Sequence, residues 1–142
     1  MNKYGLVGKK LGHSLSPEIH NYIFDKLGVE AEYSLYEIED GKDILKLMEE
    51  KGIKGFNITI PYKEIVMSQL DFISEEAEKI GAVNLVKIKN GESYGYNSDY
   101  YGVVEMLEKH DVKVKGKICY VLGSGGASKS VIVALHDLEL KR

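Results

Sequence analysis

Lys63 and Asp99 each stand just past the end of an apolar, strand-like run. In an open α/β sheet that rim is where ligands bind. Lys63 follows GFNITIP, in which Phe56, Ile58 and Ile60 alternate with Asn57 and Thr59. Pro61 then ends the ladder, having no N–H to donate. Asp99 lies in YNSDYYG at the mouth of a helical stretch, where an acidic N-cap is the ordinary explanation. If both residues reach one cleft, the carboxylate would orient the ammonium; the bland alternative is two unrelated, solvated charges. LGHSLSPEIH adds the hydroxyls of Ser14 and Ser16 beside a helix start, a pairing suited to a carboxylate or phosphate. Ser16 is also the expected N-cap of that helix, whereas Ser14 has no such structural reason to be there.

Two further segments carry polar or flexible residues of interest. GAVNLV places Asn84 inside a short apolar strand, where both ends of its amide need partners. A structural asparagine bonded to loop backbone is an equal alternative. VLGSGGAS (121–128) reads as a glycine-rich turn between a strand and a helix. Gly123 and Gly125 would allow the tight turn and the close approach of a pyrophosphate, and the helix N-terminus attracts it. The competing reading is a tight turn with no ligand. His13, His20, His110 and His136 are too scattered to suggest a metal site.

The elements that must position these residues follow from periodicity and punctuation. KYGLVG, AEYSLYEIE and GFNITIP read as three strands, separated by the helices SPEIHNYIFDKLG and KDILKLMEEKG. In the first helix Ile19, Ile23 and Leu27, with Tyr22 beside them, form the apolar stripe expected to face the core. This βαβαβ order implies parallel pairing with right-handed crossovers. A helical stretch with Ile65, Val66 and Leu70 and a short helix SEEAEKIG come next. Two strands then pair around Asn90-Gly91, a strong hairpin signal. DYYGVVEMLEKHD is a connecting helix, and KICYVLG with ASKSVIVALHDLEL reads as a second strand–helix unit in which Cys119 is an inert core residue. The expected organisation is one α/β domain over 1–99, a connecting helix over 100–114, and the first βα unit of a nucleotide-binding domain over 115–142. The fold class is therefore α/β, a mostly parallel open sheet with flanking helices followed by an incomplete Rossmann unit.

Composition excludes several classes of function. A net charge of −3 with dispersed lysines argues against a nucleic-acid partner. No apolar run approaches membrane-spanning length, and the N-terminus lacks a signal-peptide core. One cysteine rules out an intrachain disulfide and fits a reducing, cytoplasmic setting.

GHSLSPEIHN, GFNITIPYK, GAVN, YNSD and VLGSGGAS occur in the order and approximate spacing of shikimate dehydrogenases. The chain resembles that family over essentially its whole length. The resemblance implies NADPH-dependent reduction of 3-dehydroshikimate to shikimate, in aromatic amino-acid (chorismate) biosynthesis. It implies that Lys63 supplies a proton or positive charge to the ketone oxygen as hydride arrives. Asp99 would be its partner and accept from a ring hydroxyl. Ser14 and Ser16 would hold the substrate carboxylate, Thr59 and Asn84 the hydroxyl side, and Gly123, Ser124, Gly125, Gly126 and Ala127 the NADP diphosphate. No metal is implied.

The chain departs from the family pattern in identifiable places. Asn97-Ser98-Asp99-Tyr100 replaces the usual N-T-D-G, so clearance for a nicotinamide beside Tyr100 becomes the question at that position. Leu85 stands where a threonine is common. The family's nucleotide-selecting loop and C-terminal glutamine are absent, which implies a truncated, inactive piece that self-associates through its C-terminal unit. A quinate/shikimate dehydrogenase and a non-catalytic module for polyol acids remain the rival readings.

Overall fold

The structure, a computed structural model, describes residues 1–140. The chain opens with β1 (Asn2–Gly8), α1 (Ser16–Leu27), β2 (Ala31–Glu37), α2 (Ile44–Glu50) and β3 (Ile53–Ile58). A 3-10 turn at Ile65–Gln69 leads to β4 (Phe72–Ile73), α3 (Glu75–Ile80), β5 (Leu85–Lys89) and β6 (Glu92–Tyr96). α4 (Ser98–Lys109) and α5 (Gly126–Leu140) complete the described elements. Six strands form one sheet in the order β2-β1-β3-β5-β6-β4. As expected for βαβαβ, β1 is parallel to both β2 and β3. β5 joins β3 antiparallel, and the β5–β6 hairpin turns at Asn90 and Gly91, whose φ angles of 56° and 80° fit a type I′ turn.

One sheet face builds the core. Val7, Phe56, Ile58 and Val86 on the strands pack with Ile44 and Met48 of α2, and with Val66, Ala77 and Val83. At most 2% of each of these residues is exposed. Between β1 and β2, Gly5 is required by space: a Cβ there would lie 2.5 Å from the Ser34 carbonyl oxygen and collide with the Tyr36 ring.

Two expectations are corrected. The Ile19–Ile23–Leu27 stripe of α1 faces outward, and Ile19, Tyr22 and Leu27 are all more than half exposed. The helix instead turns His20, Asn21 and Phe24 inward. Asn21 exchanges two hydrogen bonds with the Tyr33 backbone, and Phe24 meets Tyr4. Those specific bonds fix the helix rotation, which a hydropathy stripe does not encode. The second correction is KICYVLG, which forms no strand because it has no ladder partner among the described residues. Cys119 within it is therefore exposed rather than core. β4, for which the sequence gives no expectation, is two residues long and too short to register as a period.

β4 is held at the sheet edge by Asp71 and Ser93. Asp71 Oδ2 accepts from the Ser93 hydroxyl (2.7 Å) and amide (2.8 Å), and the Asp71 amide donates back to Ser93 Oγ (2.9 Å). Hydrogen bonds to the ionised form hold the Asp71 carboxyl below its usual value. A carboxyl lowered in the fold stabilises it above the ordinary carboxylate pKa, and that stability is lost as pH falls through the lowered value. Thermal melts taken stepwise into acid are expected to show a shallower loss in Ser93→Ala than in the parent. Identical slopes would discount the contact.

Candidate active site

Lys63 is held by backbone on both sides. The preceding Tyr62 is buried, its hydroxyl donating to the Ile38 carbonyl (2.6 Å), and its amide donates to the Thr59 carbonyl (3.0 Å). The Lys63 carbonyl accepts from the Val83 amide (2.8 Å). The side chain is thus delivered from a braced loop just past β3, after a cis Ile60–Pro61 peptide. Its Nζ lies 2.8 Å from Asp99 Oδ2, and the two side chains are 20% and 36% exposed. The structure brings together the two charges that sequence alone left as separate signals. Asp99 sits in the first turn of α4, where the helix dipole favours a negative charge. It is not the cap: Asn97 is, accepting from the Tyr100 amide (3.3 Å).

The serine loop sits on the same rim, because β1 and β3 are adjacent and parallel. The end of β1, which leads into that loop, lies against Thr59: a Cβ on Gly8 would be 2.6 Å from Thr59 Cγ2. The hydroxyls of Ser14 and Ser16 are 3.1 Å apart, and the Ser16 amide donates to Ser14 Oγ (3.2 Å). Ser16 is the first helical residue rather than the N-cap, which is Leu15, without a side-chain cap. Ser14 Oγ thus accepts from the first amide of α1 while its own hydroxyl meets that of Ser16.

Asn84, 6% exposed, has a fixed amide orientation. Its Oδ1 accepts from the Ser98 amide (2.8 Å) and hydroxyl (3.1 Å), which leaves Nδ2 as the donor available to a ligand. Three residues that sequence reasoning missed connect Asn84 to the serine loop. Asn57 Nδ2 donates to the Asn84 carbonyl (3.3 Å), and its Oδ1 accepts from the Tyr33 hydroxyl (2.8 Å). His20 stacks on Tyr33 at 4.1 Å between centroids, and its Nδ1 lies 2.9 Å from the Ser16 carbonyl oxygen. The signal for Asn57 was there, a polar residue in an otherwise apolar strand. Its partners lie 24 and 27 positions away and could not be read.

Gly123, Ser124, Gly125, Gly126 and Ala127 form the turn into α5 as expected, though without a strand before it. A Cβ at Gly123 or Gly125 would meet nothing within 4 Å, so a phosphate has room to approach the backbone. At Gly126 it would lie 3.5 Å from Lys63 Cδ. Gly126, the first residue of α5, and Lys63 therefore share a cleft of about 250 Å³, lined also by Ile60, Pro61, Glu64, Ile65 and Ala82. A larger open groove of about 770 Å³ reaches Tyr33, Asn57 and Ser98 along the sheet face. Tyr100 does not narrow the cleft: its hydroxyl turns to Asp137 of α5 (3.0 Å). Among the described residues no His, Cys, Asp and Glu cluster could hold a metal ion.

The α/β domain thus presents hydroxyls, an amide and a lysine–aspartate pair at one end of its sheet, groups suited to a small polar ligand. More particularly, the chain belongs to the shikimate dehydrogenase substrate binding domain family, whose profile matches residues 6–86. It is 49% identical over its whole length to a shikimate dehydrogenase (NADP(+)) of Clostridium perfringens and covers 53% of that protein. The corresponding protein of Clostridium beijerinckii is 48% identical, with the same coverage. The crystal structure of shikimate dehydrogenase 1 from Peptoclostridium difficile superposes with a TM-score of 0.89 at 45% identity, over 96% of this chain and 53% of that one. The Thermus thermophilus enzyme, solved in complex with NADP(H) and shikimate, gives 0.85 at 34% identity, over 96% and 52%. The chain thus spans about half the length of the curated relatives it matches.

Burial pushes the Tyr33 hydroxyl up to about 12. A group whose folded pKa is raised keeps its full stabilisation below the ordinary tyrosine value of about 10, and loses it as pH rises from there to about 12. Tyr33→Phe is expected to cost about 1 kcal/mol at neutral pH through the lost bond to Asn57. It is also expected to flatten the alkaline fall of the melting temperature. An alkaline limb as steep in Tyr33→Phe as in the parent would contradict this.

Proposed function

We propose that this chain supplies the substrate site and the lysine–aspartate pair of an NADP-dependent shikimate dehydrogenase. The observation that carries the reading is the 2.8 Å Lys63–Asp99 contact beside Gly126, at the rim that also holds Ser14 and Ser16. The paired serine hydroxyls match a carboxylate, and Thr59 and the Asn84 amide match ring hydroxyls. Asp99 holds the Lys63 ammonium in place and accepts from a neighbouring hydroxyl. Lys63 stabilises negative charge developing on the ketone oxygen of 3-dehydroshikimate and delivers the proton that completes the alcohol. NADPH, when bound, supplies the hydride; the open turn from Gly123 to Ala127 fits its diphosphate. Two adjacent serines favour shikimate over quinate, whose extra hydroxyl needs room near the carboxylate.

In the full-length enzyme, Lys63→Ala is expected to lower turnover at least about a hundredfold with little change in melting temperature, because its interaction is made mainly in the transition state. Asp99→Asn is expected to be nearly as damaging, and the double variant little worse than either single one. Near-normal turnover in Lys63→Ala would refute its role. Ser14→Ala is expected to weaken shikimate binding by roughly 1–3 kcal/mol, measured by calorimetry. An unchanged affinity would return Ser14 to the status of a loop residue, and shikimate binding without NADPH oxidation by the full-length protein would favour the non-catalytic module.

We further propose that the 142-residue chain associates through its C-terminal segment. Ile118, Tyr120 and Leu122 are 82%, 86% and 98% exposed, and Ile132 on α5 is 53% exposed. Apolar surface of this kind is seldom left uncovered by monomers. A two-fold dimer is the simplest closed arrangement. Sedimentation at micromolar concentration is expected to show a dimer that Leu122→Lys weakens, and a clean monomer would exclude it.

A further inference from the structure

The face of α5 that meets the rest of the molecule carries Ser130, Ala134 and Asp137, at helical spacing i, i+4, i+7. Ser130 and Ala134 are fully buried. Each end of this face is fastened by a polar contact. Ser130 Oγ donates to Asn97 Oδ1 (3.2 Å), and Asp137 Oδ2 accepts from the Tyr100 hydroxyl (3.0 Å). Lys79 of α3 approaches the same Asp137 oxygen at 3.9 Å. Asn97 is 1% exposed, and it does three things at once. Its Oδ1 also takes the Tyr100 amide, and its Nδ2 donates to the Ala82 carbonyl (2.9 Å), two residues before Asn84.

These contacts tie the start of α4, which carries Asp99, to α5. Asn97 and Tyr100 bracket Asp99 in sequence, while α5 begins at Gly126, beside the Lys63 side chain. Tyr100 occupies the position where the family's usual pattern has glycine, so its side chain adds a bond that a glycine cannot make.

We propose that Ser130–Asn97 and Tyr100–Asp137 form a two-point clasp that sets the position of the glycine-rich turn over Lys63 and Asp99. These are positioning residues; none of the four is assigned contact with substrate. The proposal rests on the dehydrogenase reading for its kinetic consequence. A turn displaced by about 1 Å misaligns the hydride donor with the ketone, which costs rate far more than it costs binding. The hydroxyl–carboxylate bond is charge-assisted, and the Ser130–Asn97 bond is shielded from water, so both hold geometry firmly.

The test removes one hydroxyl from each contact, Ser130→Ala with Tyr100→Phe, in the full-length chain assayed for NADPH-dependent reduction of 3-dehydroshikimate. The expected result is a fall in kcat of at least about tenfold, with the KM for 3-dehydroshikimate within about twofold, and recovery of most of the rate in Ser130→Thr with Tyr100 restored. A kcat within about twofold of the parent, or a KM that rises as kcat falls, overturns the proposal. Hydrogen exchange on the 142-residue chain provides a readout independent of turnover. Amides of α5 are expected to lose protection in the double variant while those of β1 and β3 keep theirs. Unchanged α5 protection overturns the clasp. If the parent enzyme oxidises no NADPH, the dehydrogenase reading fails by itself and the exchange measurement still decides the clasp.

Discussion

Everything in this domain hangs on β3, the strand where a parallel half-sheet is joined to an antiparallel hairpin. On one side it pairs with β1 in parallel register, Leu6 opposite Asn57 and Val7 opposite Ile58. On the other it pairs antiparallel with β5, Phe56 opposite Val86. Its apolar residues Phe56 and Ile58 enter the core, while Asn57 reaches across the other face to Tyr33 and the Asn84 carbonyl. Its continuation delivers Thr59 and Lys63. The same strand therefore anchors the core, ties the two parts of the sheet together and sets the height of Lys63. A shift of one residue in its register would send Phe56 to the wrong face and displace Asn57, Thr59 and Lys63 with it.

The site itself is a compromise between exposure and restraint. A partly exposed lysine–aspartate pair contributes little to stability, since water screens it. Its value lies in geometry: an ammonium fixed by a carboxylate, on a loop braced by the buried Tyr62. Around it, polar side chains that are themselves buried find partners, and no buried side-chain nitrogen or oxygen is left unpaired among the described residues. That satisfaction is what allows Asn84 and Asn97 to sit inside an apolar setting without destabilising it.

What could be read from the sequence divides along a physical line. The first three strands, the hairpin and the helices announce themselves through period, caps and turn residues, all properties of neighbouring residues. Lys63 and Asp99 were legible as candidates because each follows a strand end. The rotation of α1 was not, because Asn21 and His20 choose their side through contacts with Tyr33, not through hydropathy. Asn97 read only as part of a motif, since its three partners come from three separate segments. The strand proposed for KICYVLG failed for the complementary reason: apolar, β-branched composition proposes a strand, but only a neighbouring ladder makes one.

The hairpin described above also bears on how the chain finds its fold. β5 and β6 are linked by two residues, and each uses its outer edge, β5 to receive β3 and β6 to receive β4. A hairpin of this kind closes on a timescale of about 1–10 μs, whereas pairings that span a helical crossover carry a larger loop-closure cost. The hairpin is thus a ready template with two open edges. Its register, fixed by Asn90 and Gly91, continues through the β5–β3 ladder to the strand that leads into the Lys63 loop. A turn at the far end of the sheet from Lys63 is thereby tied to it through two ladders.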